Sequence, residues 1–251
     1  MAEVVVMTFN IRTDRGLDGR NSWWLRRAAT VDAVRSVAPD VAGLQEVRRL
    51  QLGHLKGELP EYGFLSAGRG NGRQRGEHCP ILYRHDRFEV TSWDVRWFSQ
   101  DRSGRIATVA RLSDRRDGTA FSVVSTHLDH RSAEARVNSA AALALWVRTG
   151  TGPWIVMGDF NATAVDPSVG SLLATGLQDA LAHLPTRGTG AATAHRFKGG
   201  ADGDRIDHVL VSPGWTVLHA AIVHETPGGR LPSDHWPVVA RLRLSGPQRY
   251  G

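Results

Sequence analysis

Apolar residues in this chain come in short runs, and the runs end abruptly at polar residues. The clearest is Trp154-Ile155-Val156-Met157, closed by Gly158-Asp159-Phe160-Asn161. Four apolar residues in a row read as a strand buried on both faces. If the strand geometry continues, Asp159 and Asn161 project to the same side. The competing reading is an Asx-type turn, in which these residues bond their own backbone. The same pattern recurs. A β-rich run over about 3–9 ends at Asn10, Val41-Ala42-Gly43-Leu44 ends at Gln45-Glu46, and a strand ending near Ser125 runs into Thr126-His127. Asp207 opens a fourth run, and Asp234-His235 precede a last strand over about 238–244.

Between these runs the period changes. A helix is expected over about 23–37, with Trp24, Ala28, Val31 and Val34 as its apolar stripe. A second follows at about 48–58, and a third at about 132–148 carries Val137, Ala141, Ala144 and Val147 on one face. Further strands are expected near 63–66, 81–84 and 87–98, with a hairpin around Asp117-Gly118. Hairpin-style strand order dominates over regular βαβ alternation. With no linker and no repeat, the chain reads as one α/β domain over 1–251. A two-sheet sandwich with helices outside covers that many strands on both faces.

Composition narrows the function. Of the 31 basic residues only Lys56 and Lys198 are lysine, and the net charge is +6. Arginine suits bidentate phosphate recognition, but arginine-rich and alanine-rich composition also follows from GC-rich coding, so basicity is weak support for an anionic substrate. The arginines of Gly68–Gly76 read first as a flexible loop, and second as a phosphate-gripping one. No run approaches the roughly 20 apolar residues of a membrane span. Met1–Met7 has neither the basic region nor the long apolar core of a leader, so a cytoplasmic protein, monomeric and with no membrane partner, is expected. The single cysteine, Cys79, excludes an internal disulfide and reads as a small buried side chain.

The polar strand ends then carry the chemistry. Carboxylates with a carboxamide suit a hard cation such as Mg²⁺ or Mn²⁺. There is no Cys/His cage for zinc, no Gly-x-Ser-x-Gly elbow and no Walker-type loop. Oxygen ligands, histidines and arginines together point to metal-assisted phosphoester hydrolysis.

Six motifs in order resemble those of the endonuclease/exonuclease/phosphatase superfamily, the DNase I-like metal-dependent phosphoesterases. They are Thr8–Arg12, Leu44–Val47, Ser125–His130, Gly158–Ala162, Arg205–Val209 and Ser233–Val238. The wording is most similar to compact bacterial members of unassigned substrate. The resemblance implies a four-layer αββα sandwich with the site at the strand ends. It assigns Glu46 as main metal ligand, with Asn10 beside it helping to hold the metal or a phosphate oxygen, and Asp234 as a ligand for that metal or for a second one. Asp159 deprotonates the attacking water, and Asn161 and His235 hold the phosphate. Asp207 orients His235, and His127 contacts phosphate and protonates the leaving oxygen. Arg105, Glu77 and His130 are substrate-binding candidates, and surface salt bridging is the competing reading for Arg105. His78 is expected to face the cleft beside Glu77, His208 to point away from it, and Arg136 to be a solvated helix residue. The expected substrate is a small phosphorylated metabolite or nucleotide-like compound. A nuclease for DNA or RNA is the alternative, and a catalytically silent nucleic-acid- or protein-binding module is the alternative of another class. Against the last, none of the expected catalytic positions is replaced.

Overall fold

In the computed structural model, residues 3–98 and 104–245 are described; Met1 and Ala2, part of the stretch read for a leader, lie outside them. Two six-stranded sheets carry the fold. The first strands are β1 (Glu3–Asn10), β2 (Val41–Gln45), β3 (Tyr62–Leu65) and β4 (Ile81–Arg84), followed by β5 (Phe88–Trp97), β6 (Ile106–Asp114), β7 (Ala120–His127) and β8 (Trp154–Asp159). Short pieces follow as β9 (Gln178–Asp179), β10 (Arg187–Gly188) and β11 (Gly203–Asp204). The last strands are β12 (Asp207–Val211), β13 (Trp215–Ile222) and β14 (Val238–Leu244). One sheet has the order β13-β14-β1-β2-β4-β3 and the other β5-β6-β7-β8-β12-β9. Each contains one parallel pair, β1 with β2 and β7 with β8. A parallel pair needs a crossover, and helices α1 (Trp23–Val37) and α3 (Ala133–Thr149) supply them.

The layers follow from strand parity. On β1, Val4 and Val6 pack between the sheets, while Met7 and Phe9 face outward onto α1 and α2 (Arg49–Glu58). On β8, Ile155 and Met157 face inward, and Val156 packs outward with α3 and α4 (Pro167–Leu173). The result is the expected four-layer αββα sandwich. Where β7 and β8 touch, Gly158 has no substitute, because a Cβ there would lie 2.0 Å from the Thr126 carbonyl oxygen.

The helix stripes differ from expectation. On α1, Trp24 is 60% exposed and Ala28 is also on the solvent side. Val31 and Val34 are buried as expected, and the rest of the buried face is Trp23, Arg26, Ala29, Thr30 and Ala33. An arginine in the middle of that face breaks the apolar periodicity that a sequence reading follows. Arg26 is tolerated because its guanidinium donates to the carbonyls of Ile11, Arg12, Asn21 and Pro232 at 2.6–3.0 Å. On α3, Val137 is exposed and Ala141 faces solvent, while the expected Ala144 and Val147 pack partly buried against the core; Ala135, Ser139, Ala140 and Leu143 are the buried residues. That helix is apolar almost all round, so hydrophobicity alone does not select a face. Arg136 is half-buried rather than solvated, paired with Asp166 at 3.5 Å. Cys79 is buried as expected, which pushes its thiol up to about 12.

One buried ion pair sits under β12. Arg205 Nη1 donates to Asp179 Oδ2 at 2.6 Å, and His208 lies 3.7 Å from the same oxygen. Burial opposes ionisation of Asp179, but His208 and Arg205 outweigh it and hold the carboxyl down to about 2. The depressed folded value contributes stability that is complete above the unfolded value near 4 and is lost as pH falls towards 2. Asp179→Asn is therefore expected to cost about 3–5 kcal/mol at neutral pH, because it strands a buried arginine. Its melting temperature should also change less between pH 4 and 2 than that of the wild type. An unchanged neutral-pH melt would refute the assignment.

Candidate active site

The parity that builds the core also builds the site. Inward positions on β1, β7, β8 and β12 carry Val4, Val123, Ile155 and Val209 in the core. At the rim the same inward positions carry Asn10, His127, Asp159 and Asp207. In register, Asp159 pairs with His127 on one side and Asp207 on the other. Three titratable side chains thus form one row across adjacent strands. Just below, Gln45 Nε2 donates to Thr8 Oγ1 at 3.1 Å and to Ser125 Oγ at 3.4 Å, tying the two sheets together near the rim.

Glu46 and Asn161 reach the same cleft differently. Gln45 holds the inward position of β2, so Glu46 would face outward if the strand continued. It turns back through the left-handed region at φ 61°. Asn161 has φ 50°, and its N–H donates to Asp159 Oδ1 at 2.9 Å. This is the Asx-turn, and it corrects the expectation that strand alternation aligns Asp159 with Asn161. Asn161 Nδ2 donates to the Leu128 carbonyl at 3.1 Å. Among the described residues six non-glycines have positive φ, and five of them (Arg12, Glu46, Asn161, Arg196 and Phe197) line this cleft. Strained backbone concentrated in this way marks a functional site.

The cleft has a volume of about 690 Å³. It is lined by Glu46, His127, Asp159, Asn161, Asp234 and His235, and by the candidates Arg105, Glu77 and His130. Asn10 and Asp207 stand behind the lining. Asn10 is fully buried and bridges two carboxylates, donating to Glu46 Oε1 at 3.2 Å and Asp159 Oδ2 at 3.0 Å. Asp207 Oδ2 accepts from His235 Nδ1 at 2.9 Å. Arg105 is ion-paired with Asp129 at 3.9 Å, but the pair is buried rather than at the surface. Arg105 is 5% exposed and donates to His130 Nδ1 at 3.1 Å. His78 does not face the cleft; it is buried, with Nδ1 2.7 Å from Ser66 Oγ. His208 points away as expected, with Nε2 at 2.8 Å from the Ala162 carbonyl.

The row's protonation states are pushed apart. Burial, then Asp207, drive Asp159 up to about 7. Burial, reinforced by Arg105 and His235, holds His127 well below the usual imidazole range. For His235 burial opposes the charge, but Asp207 and Asp159 outweigh it and raise the ring well above that range. The site therefore holds a neutral imidazole 3.5 Å, and a charged one 3.8 Å, from one oxygen of Asp159. Such divergence separates a neutral hydrogen-bonding imidazole from a charge-carrying one.

Two groupings suit a cation. Asp159, Asp207 and His235 each offer an atom within 4.8 Å of the others. There, however, the Asp207–His235 hydrogen bond already uses two of the groups. The second is the corner of Glu46 and Asp234. Burial raises Asp234; the charged His235 opposes this, and Glu46 raises it further, so the two carboxylates repel in a desolvated corner. Arg12, 3.8 Å from Asp234, is a second cation beside His235, and it is also bonded to Asp18 at 3.1 Å. A hard divalent ion fits that surplus of oxygen charge.

Arg69 in the lining comes from the loop whose second reading is phosphate-gripping, whereas sequence reading missed Arg12, Asp18, Arg196 and Phe197. Their signal is left-handed backbone and loop packing, neither of which is written in residue type.

A family model described as the Endonuclease/Exonuclease/phosphatase family matches residues 7–235. An endonuclease/exonuclease/phosphatase from Bacteroides vulgatus superposes with a TM-score of 0.88 at 33% identity, covering 98% of this chain and 100% of that one. A mannosyl-6-phosphatase from Bacteroides thetaiotaomicron superposes with a TM-score of 0.88 at 28% identity, covering 96% and 100%. Nocturnin of Drosophila melanogaster is 25% identical over 92% of this chain, which spans only 43% of that protein's length. No helix among the described residues is long and apolar enough to cross a membrane. The chain belongs to the endonuclease/exonuclease/phosphatase family of phosphoester hydrolases.

Proposed function

We propose that the chain, acting as one catalytic domain, is a Mg²⁺- or Mn²⁺-dependent hydrolase of a small phosphorylated metabolite or nucleotide-like compound. The observation that carries the reading is the row His127–Asp159–Asp207/His235 facing the Glu46/Asp234 corner across one cleft. Glu46 and Asp234 would hold the ion, with Asn10 orienting Glu46. When bound, the ion would offset charge on the phosphate oxygens. Asp159, raised to about 7, takes the proton of the attacking water. Asn161 and the charged His235 hold phosphate oxygens. Neutral His127 faces the leaving oxygen and donates a hydrogen bond there, and that oxygen takes up a proton from solvent and departs as the alcohol. Arg105, Glu77 and His130 line the leaving-group side. The cleft volume of about 690 Å³ is that of a small-ligand pocket rather than a duplex groove, and the similarity to the mannosyl-6-phosphatase supports the same size class.

A panel tests this reading: p-nitrophenyl phosphate, bis-p-nitrophenyl phosphate, sugar phosphates, nucleotides, RNA and plasmid DNA, each with Mg²⁺ or Mn²⁺ and with EDTA. The expected result is metal-dependent release of phosphate from small monoesters and loss of activity in EDTA. Full activity in EDTA would sink the mechanism. Cleavage of diesters and nucleic acid without monoesters would replace the metabolite substrate with the nuclease reading.

A further inference from the structure

Asp207 makes one side-chain hydrogen bond, its Oδ2 accepting from His235 Nδ1; its Oδ1 is buried without a partner. A carboxylate held at a single oxygen is not oriented by its own bonds. Its position must come from the backbone beneath it. That backbone lies at the start of β12, where the sheet supports it on the β8 side only. The neighbouring β9 pairs only with Leu210 and Val211 and does not reach Asp207, and Ile206 lies just before β12, so the N–H groups of these two residues find their partner elsewhere. Both donate instead to a single atom, Thr193 Oγ1, at 2.9 and 3.1 Å.

Thr193 is fully buried and holds the other half of the pair as well. Its carbonyl accepts from Trp236 N–H at 2.7 Å, one residue past His235. Ala194 forms an isolated bridge with His235, and His195 N–H donates to the Asp234 carbonyl at 2.8 Å. The segment thus joins the Asp207 backbone to the turn that carries His235, and the threonine hydroxyl is the only side chain in that junction that bonds both amides.

We infer that Thr193 is a positioning residue: its hydroxyl stands in for a missing strand and sets the Asp207–His235 contact. The expected effect on turnover rests on the proposed hydrolase reading; the geometry does not. Misplacement of a reacting group by about 1 Å can cost about a hundredfold in rate.

Thr193→Val keeps the shape and removes the acceptor, Thr193→Ser keeps the acceptor, and Thr193→Ala removes it with no β-branch. The valine and alanine variants are expected to lose at least about tenfold in kcat with KM within about twofold, and serine to stay within about threefold of wild type. Two readouts do not depend on activity. Proton NMR follows the His235 Nδ1–H resonance, assigned by its absence in His235→Ala. Amide exchange follows Ile206 and Asp207. Thr193→Val and Thr193→Ala should shift or broaden the resonance and speed both amides, and Thr193→Ser should do neither. Wild-type kcat and an unshifted resonance in Thr193→Val would overturn the inference. So would a serine variant as impaired as valine, or valine and alanine variants that unfold while serine folds with an altered resonance. If the wild type hydrolysed no phosphoester, the hydrolase reading would fail while the NMR arms still decided the role of Thr193.

Discussion

Asp159→Asn is expected to lower turnover by about 10²–10⁴-fold while leaving the protein folded and, in EDTA, more stable than the wild type. The loss follows from chemistry: an amide cannot take a proton from water, and no other cleft group is so placed. Asp159 Oδ2 is the meeting point of Asn10 at 3.0 Å, His127 at 3.5 Å and His235 at 3.8 Å. The gain follows from electrostatics. Burial and Asp207 raise the Asp159 carboxyl to about 7. A carboxyl whose folded value is raised disfavours the folded state at any pH where the unfolded chain would ionise it, that is, above about 4. A neutral isostere removes that penalty, and the difference should grow as pH rises from 4 to 7. Melting curves in EDTA across this range, alongside steady-state rates with Mg²⁺, check both halves. Activity within tenfold of wild type would exclude Asp159 as the base.

His235→Ala should act in the opposite sense on stability. Turnover is expected to fall by about 10²–10³-fold, the effect of removing a preorganised charge from a transition state. The fold should also lose about 3–5 kcal/mol, because one partner of a buried ion pair is left behind. Asp207 would then have neither oxygen bonded: Oδ1 has no partner already, and Oδ2 bonds only His235. His235→Gln supplies a donor of similar reach and should recover part of the melting temperature without recovering rate. A glutamine variant that recovered turnover would show that charge on residue 235 is not required. Asp159 and His235 therefore separate cleanly. Removing one group costs activity alone, and removing the other costs activity and stability.

The sequence announced the existence and order of the elements with little ambiguity. The run from Trp154 to Met157 became β8, and the hairpin around Asp117-Gly118 joins β6 to β7. Strand ends were legible because an apolar run buried between layers must stop where the chain meets water, and there the residue type is free to serve chemistry. The helix faces were less legible. Arg26 occupies the centre of the buried side of α1, since four carbonyls from distant turns converge on it. No local pattern records such a partner set.

The site divides along the same line. Residue type and order alone brought Asn10, Glu46, His127, Asp159, Asn161, Asp207, Asp234 and His235 forward as candidates, because carboxylates, a carboxamide and histidines at the ends of buried strands support few chemistries. Their arrangement is tertiary. Whether a rim residue faces the cleft depends on strand parity carried through the core, which puts Asp159 in register with His127 and Asp207. It also depends on the left-handed turns at Glu46 and Asn161, which turn both residues into the cleft. Protonation is tertiary too. His127 and His235 are the same residue type with the same solution pKa, yet burial beside Arg105 holds one neutral while Asp207 and Asp159 hold the other charged. The sequence by itself determined which chemistry is available. The packing of the two sheets decided which group accepts a proton, which carries charge and which stands behind, because those properties arise from distances between strands far apart in the chain.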